Sequence, residues 1–279
     1  MPRVRARRPA PASHPEVRAA RRLRRRRERT RTGRLLVEGP NAVDEALHLI
    51  ECAFVSTEPT SRVAATLRRC KDARVPVLPV TDGALDALAD ARTPQGIVAV
   101  AARPPAELAS LADASLVIVL DRVADPGNLG TVIRTADAAG ADGVILTAGS
   151  VDPTNAKAVR ASAGSFFHLP VVDDVAPDAL AAHCRTAGIR LVAAVPGAPE
   201  RYDEVSWVAP AAIVFGNEAH GLSTQMDQYV AAKVSVPIWR PTRVGYHGHA
   251  ESLNLATTAA VVAFEIARQR GGRDRTWDR

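Results

Sequence analysis

Four segments of the sequence concentrate polar side chains where a buried run of apolar residues ends, and such ends are where chemistry is placed in α/β proteins. The first follows Leu116–Asp121 (LVIVLD) and reads Arg122-Val-Ala-Asp-Pro-Gly-Asn-Leu-Gly130, then Thr-Val-Ile-Arg134. Asp-Pro-Gly-Asn is turn chemistry. Asn128 is expected at a helix N-cap, with Gly130 allowing close packing one turn in. Arg134 then falls within the first two turns. A plain cap and a surface charge would give the same spacing.

The second segment, Gly216-Asn-Glu-Ala-His-Gly-Leu-Ser223, follows Ala211–Phe215. Its two glycines bracket Asn217, Glu218 and His220, and glycine lets a ligand approach the backbone. Glu218 is its only carboxylate. A simple loop capped by Ser223 is the alternative. The third segment, 239–250 (WRPTRVGYHGHA), leads into Glu251-Ser252-Leu253-Asn254, with Ser252 and Asn254 expected at the start of a last helix. Its His247 and His249 lack a third ligand in view, so no metal is expected. The fourth, 159–165 (VRASAGS), precedes an expected strand at Phe166–Val172. GxGxxG, GxxxxGK[ST] and GxSxG are all absent. Dinucleotide oxidoreductases, P-loop ATPases and α/β-hydrolases therefore have no support.

The elements that must carry these loops follow from periodicity. Continuous apolar runs at Leu116–Asp121, Gly143–Thr147, Arg190–Val195, Ala211–Gly216 and Lys233–Ile238 read as buried parallel strands. Helical patterns at Leu129–Ala139, Asn155–Ala163, Pro177–Ala187 and Ser252–Gln269 separate or follow them. The fold class is thus α/β with a mostly parallel sheet. Upstream, strands at 35–37, 52–56, 75–80 and 96–101 alternate with helices at 42–50 and 61–71, a smaller α/β unit. The expected organisation is a basic disordered arm over 1–33, the small unit over 34–102, a linker over 103–115 and the catalytic domain over 116–272.

The arm owes its assignment to charge. Of the 279 residues, the first 34 hold 14 Arg against Glu16 and Glu28, a net of +12 within a chain of net +6, so the remainder carries −6. Clustered arginine suits RNA phosphates, and a basic helix around Glu16–Arg29 could order on RNA. No stretch is long and apolar enough to span a membrane, and the N-terminus lacks the apolar run of a secretory signal. Three cysteines with no CxxC suit a reducing cytoplasm.

At this point the sequence is similar to a known family. DPGNLGTVIRTADAAG, VFGNEAHGLS and PI…GHAESLNLATTAAVVAFEIARQR resemble, in order, the three signature motifs of the SpoU/TrmH family of the SPOUT superfamily, RNA 2′-O-ribose methyltransferases. Residues 34–102 resemble that family's small L30e-like substrate-binding domain. The resemblance implies a parallel-sheet domain with a C-terminal trefoil knot, S-adenosylmethionine held largely by backbone groups, and a homodimer. It implies catalytic roles for Asn128, Arg134, Glu218, Ser252 and Asn254, and cofactor contacts from Gly216, Val236 and Leu253. Asn217 and Gly221 of the second motif, with Val195 and Ile238 at neighbouring strand ends, complete the expected cofactor set.

An in-line displacement needs the ribose oxygen about 3 Å from the methyl carbon, so positioning carries much of the catalysis. A neutral arginine side chain is costly to form, so Arg134 is read as a clamp on the ribose or adjacent phosphate that stabilises developing alkoxide charge. Glu218 would orient Arg134 or take the proton through water. The third motif departs from the family pattern by an insertion of about eight residues over 239–247, whose arginines and aromatic residues are expected to contact RNA by phosphate binding and stacking, a neutral loop insertion being the alternative. The leading expectation is methylation of 23S ribosomal RNA. A tRNA substrate, or a non-catalytic RNA-binding protein of the same fold, are the alternatives.

Overall fold

The structure is a computed structural model that describes residues 8–91, 93–238 and 250–271. Its first elements are α1 (Pro15–Arg22), α2 (Arg26–Thr32), β1 (Arg34–Glu38), α3 (Pro40–Glu45), β2 (Ile50–Val55), α4 (Ser61–Asp72), β3 (Val77–Pro79), α5 (Asp82–Leu88) and β4 (Ile97–Ala102). There follow β5 (Leu116–Leu120), α6 (Pro126–Ala138), β6 (Gly143–Thr147), α7 (Ala156–Ala161), β7 (Val171–Val175), α8 (Pro177–Ala187) and β8 (Arg190–Ala194). The last are β9 (Glu200–Arg201), β10 (Ala211–Phe215), α9 (Thr224–Asp227), β11 (Ala232–Ser235) and α10 (Leu255–Arg270).

The chain forms two compact units, Met1–Pro105 with Asp152–Phe167, and Ala106–Val151 with His168–Arg279. This differs from the expected boundaries in two places. The residues expected as a linker are divided, and 106–115 belong to the second unit, where Leu111 packs with Val117 and Ile145. Segment 152–167, expected in the catalytic domain, belongs with the first unit.

The first unit is built on a four-stranded sheet, β1-β4-β2-β3, antiparallel except between β2 and β3. Helix α4 starts where the Thr60 hydroxyl accepts from the Val63 N–H, and turns Val63, Thr66 and Cys70 inward. Thr81 caps α5 in the same manner. The arm is not disordered over its described part. Pro15 opens α1, and Val17, Ala20 and Leu23, spaced by three, bury against Leu36, Leu85 and Leu88. A single apolar stripe thus orders a segment whose composition is dominated by arginine.

One of those arginines is itself interior. Arg29 is 8% exposed and pairs with Asp152. Its Nε donates to Thr154 Oγ1 at 2.9 Å, and its Nη1 donates to the carbonyls of Leu23 and Arg24, each at 2.9 Å. Burial pushes the Asp152 carboxyl up, but bonds from Thr154 and the Arg29 charge outweigh it and hold the group below its ordinary value.

The second unit is a seven-stranded, all-parallel sheet ordered β7-β6-β5-β10-β8-β11-β9. The central strands are buried along their length, which is why they read as unbroken apolar runs. Two expected strands are displaced. In place of Phe166–Val172, a 3₁₀ turn spans Ser165–Phe167 and β7 begins at Val171. Pro170, which has no N–H, sits just before it and gives only its carbonyl, to Val144 N at 2.9 Å. Strand β11 ends at Ser235, so Val236–Ile238 leave the sheet.

Helix α10 begins at Leu255 rather than Ser252. Asn254 is its N-cap, accepting from Ala256 N at 2.8 Å and Thr257 N at 3.4 Å. At the far end Arg270 donates to the carbonyls of Trp207, Ser115 and Ala209 at 2.6–2.9 Å. Both ends of the helix that carries Asn254 are therefore fixed. No described helix is long and apolar enough to cross a membrane.

Candidate active site

The site lies at the carboxyl ends of β5, β8, β10 and β11. The expected N-cap at Asn128 is corrected. Pro126 takes the first helical position, so Asp125 is the cap and accepts from Asn128 N at 2.8 Å. Asn128 is thereby moved into the first turn and its amide is free to bond elsewhere. Its Nδ2 donates to Glu218 Oε1 at 2.9 Å, and its Oδ1 accepts from Asn254 Nδ2 at 3.1 Å. One asparagine therefore joins the first three polar segments.

Glu218 also accepts from the backbone N–H groups of Ala124 at 3.2 Å and Asp125 at 3.3 Å. Burial raises its carboxyl pKa, but the Asn128 bond and the backbone donors outweigh that and hold it below the ordinary carboxylate range. A carboxylate so engaged can brace both loops, and none of its hydrogen bonds goes to Arg134.

Asp121, which the sequence reading passed over, braces the same loops from below. It is fully buried at the end of β5. Thr147 Oγ1 donates to it at 2.8 Å and Ser223 N at 2.7 Å. Arg122 takes a left-handed backbone, with φ of 57°. Its N–H donates to Thr147 Oγ1 at 3.0 Å, and its carbonyl accepts from Asn217 Nδ2 at 2.8 Å. The signal was available in principle, since a carboxylate ends an otherwise apolar strand. Asn217 Oδ1 in turn accepts from Ala219 N and His220 N, closing the loop on itself.

These braces frame a groove of about 770 Å³. Val195, Gly216, Asn217, Glu218, Gly221, Val236, Ile238, Ser252, Leu253 and Asn254, all expected site residues, line it. Pro196, Gly197 and Glu251 join them without having been anticipated. At Gly216 a Cβ would lie 2.3 Å from the Gly221 carbonyl carbon and 2.4 Å from Leu222 N, so only glycine fits. Leu253 is 37% exposed in the chain alone, an apolar side chain available to a ligand. Backbone, aliphatic walls and a few polar groups suit a nucleoside bearing a sulfonium, as S-adenosylmethionine does.

Two expected site residues, Asn128 and Arg134, do not line the groove; Asn128 is bonded to its lining residues Glu218 and Asn254, and Arg134 is not. Arg134 lies on α6, exposed, with no bonding partner among the described residues. Six residues at about 100° each turn it about 120° away from Asn128 around the helix. The insertion 239–247 and the histidines 247 and 249 lie outside the described residues. Among the described residues no cluster of three or more His, Cys, Asp or Glu could hold a metal. Burial pushes the Cys184 thiol up to about 11, which leaves no thiolate nucleophile there.

Comparison with known proteins agrees with the geometry. Residues 115–264 match the SpoU rRNA methylase family, and 14–99 match an MRM3-like substrate-binding domain. The chain is 34% identical to the Bacillus subtilis 23S rRNA (guanosine(2553)-2′-O)-methyltransferase RlmP, over 91% of this chain and 97% of that protein. The SpoU methyltransferase AviRb of Streptomyces viridochromogenes, solved with AdoMet, superposes with a TM-score of 0.81 at 27% identity, covering 93% of this chain and 99% of that one. An AdoMet-bound rRNA methyltransferase from Sinorhizobium meliloti gives 0.77 at 30% identity, over 91% and 95%. With the motif loops joined through Asn128 at the end of a parallel sheet, and the family match running from β5 well into α10, the chain belongs to the SpoU rRNA methylase family.

Proposed function

We propose that this protein transfers the methyl group of S-adenosylmethionine to a ribose 2′-hydroxyl of 23S ribosomal RNA, in the cytoplasm and as a homodimer. The observation that carries the chemistry is the Glu218–Asn128–Asn254 chain of hydrogen bonds at the mouth of the groove. Bound S-adenosylmethionine supplies a methyl carbon activated by its sulfonium. Gly216, Val236 and Leu253 would hold it, and Asn128, Ser252 and Asn254 would fix the ribose relative to it. Transfer would join the 2′-oxygen to that methyl carbon as its bond to sulfur breaks, with the hydroxyl proton released to solvent. Glu218 keeps Asn128 in place rather than taking that proton.

Arg134 acts on the RNA side. Its exposed guanidinium clamps the ribose or the adjacent phosphate when RNA is bound, and stabilises alkoxide charge as it develops. The target RNA is read from the Bacillus relative's substrate, and the dimer from the family resemblance together with Phe264, which is 41% exposed on α10. The test is transfer of labelled methyl to separated, unmodified 23S, 16S and tRNA, followed by digestion to nucleosides. Label on a ribose from 23S RNA is expected. Label on a base would overturn the reaction, and label confined to tRNA would overturn the substrate. Light scattering of the purified chain is expected to give twice the monomer mass.

A further inference from the structure

Helix α1 has two faces. Val17 and Ala20 bury together with Leu23 just past the helix end, while Arg18, Arg21 and Arg22, at i, i+3 and i+4, are exposed, as is Arg25, the extended residue that precedes α2. With Arg24 they line a groove of about 550 Å³ on the first unit. None of these five guanidiniums is tied up in an ion pair with a described residue, and the one side-chain bond among them is a long one, Arg24 Nη1 to the Ala87 carbonyl at 3.3 Å. Five adjacent like charges repel one another, and the arrangement is relieved by a polyanion.

Beside this groove is a second, smaller hollow of about 140 Å³. Arg24 borders both. Leu36 and Leu88 give the small hollow apolar walls, Asn155 gives it a donor, and Asp90, whose Oδ2 already accepts from Arg160 Nη1 at 3.2 Å, gives it the remaining acceptor sites of its carboxylate. Asn155 spends its Oδ1 on capping α7, through Lys157 N at 2.9 Å, which leaves its amide N–H groups for a ligand. At roughly 30 Å³ per water the hollow has room for about five waters, or one flat heterocycle. Apolar faces with hydrogen-bonding edges are what an unstacked nucleobase requires.

We propose that the two hollows form one RNA-docking site, in which the arginine face takes successive phosphates and the small hollow takes a single unpaired base. It rests on the reading that the substrate is RNA, and it places recognition of an irregular, unpaired feature in the first unit rather than in the catalytic groove.

The test uses the full chain, without cofactor, and two RNA hairpins that differ only in one bulged nucleotide, with binding followed by fluorescence anisotropy across a salt series. The wild type is expected to prefer the bulged hairpin. The fourfold variant Arg18→Gln, Arg21→Gln, Arg22→Gln, Arg25→Gln is expected to lose at least tenfold in affinity. Its log–log salt slope should flatten by about 3, at roughly 0.7–0.9 per phosphate contact. Ala156→Leu, at the lip of the small hollow, is expected to abolish the preference for the bulge while leaving the salt slope as it was. Thermal melts check that both variants keep the wild-type fold. A wild-type salt slope in the fourfold variant overturns the phosphate assignment. Equal binding of the two hairpins by the wild type, or a preference that survives Ala156→Leu, overturns the base assignment. Binding is read here without methyl transfer, so a chain that shows the bulge preference but transfers no methyl would refute the proposed reaction and leave this site standing.

Discussion

The proposed catalytic groove and the arginine face are both exposed and polar, yet they are held in different ways. The groove is assembled from loops, and its order comes from hydrogen bonds between them: Asp121 to Ser223, Asn217 to Arg122, Glu218 and Asn254 to Asn128. Few of its residues are buried, so the precision resides in a polar network on top of a rigid parallel sheet. The arginine face is the outer side of α1 and of the short connection to α2, ordered by three apolar side chains and by a buried ion pair at Arg29 on α2. Chemistry needs atoms fixed to fractions of an ångström, and a network supplies that. Phosphate binding needs charge density and tolerates approximate placement, and a helix face supplies that.

Separate substitutions should therefore damage one region and spare the other. The largest effect is expected from Arg29→Met, which leaves Asp152 buried without its cation and should cost about 3–5 kcal/mol in urea unfolding of the first unit. The pair also sets an acid limit. The Asp152 carboxyl lies below its ordinary value in the folded state, so its contribution is complete above the unfolded-state pKa and is lost as the pH falls through the folded one. Unfolding midpoints measured from neutral to acid pH should fall for the wild type and much less for Arg29→Met.

Next is Arg134→Ala, which should lower single-turnover transfer about 10²–10³-fold, the usual cost of a lost charge-stabilising donor, with cofactor affinity and stability unchanged. A full rate in that variant would remove Arg134 from the reaction. Gly216→Ala should do the reverse. Its Cβ would press on the Gly221–Leu222 backbone, so calorimetry should show weakened S-adenosylmethionine binding, with a stability loss of about 1–3 kcal/mol. The smallest effect concerns pH. Because Glu218 is held below the ordinary carboxylate range, it stays ionised through neutral pH, and the transfer rate should show no rise that titrates with this carboxyl there. Glu218→Gln should leave the shape of the neutral pH profile unaltered while lowering its height.

The buried parallel strands were the most legible part of the sequence, because burial on both faces leaves an uninterrupted apolar run. β6 and α8 coincide with their expected spans, Gly143–Thr147 and Pro177–Ala187. The three motif loops were legible for a different reason, since glycine, asparagine and a lone carboxylate at strand ends have few structural uses together. What the sequence concealed depends on partners distant along the chain. Fourteen arginines mask the apolar stripe of α1, and nothing local marks Arg29 as interior until Asp152, 123 residues away, is brought to it. Asn128 was mistaken for a cap because Asp125 and Pro126 compete for the same helix start. The role of Asp121 required knowing that β5 and β10 are neighbours although they are far apart in sequence.

The most direct test of the network is Asn128→Ala, with the single-turnover rate and the S-adenosylmethionine Kd measured on the same preparation. Glu218 keeps its backbone donors and Asn254 keeps its capping bonds in that variant, so both loops should stay where they are. The rate should fall about 100-fold, as for a misplaced reacting group, while the Kd stays within a few-fold of wild type. A wild-type rate, or a rate lost only in proportion to cofactor binding, would contradict the claim that Asn128, held between Glu218 and Asn254, itself positions the ribose.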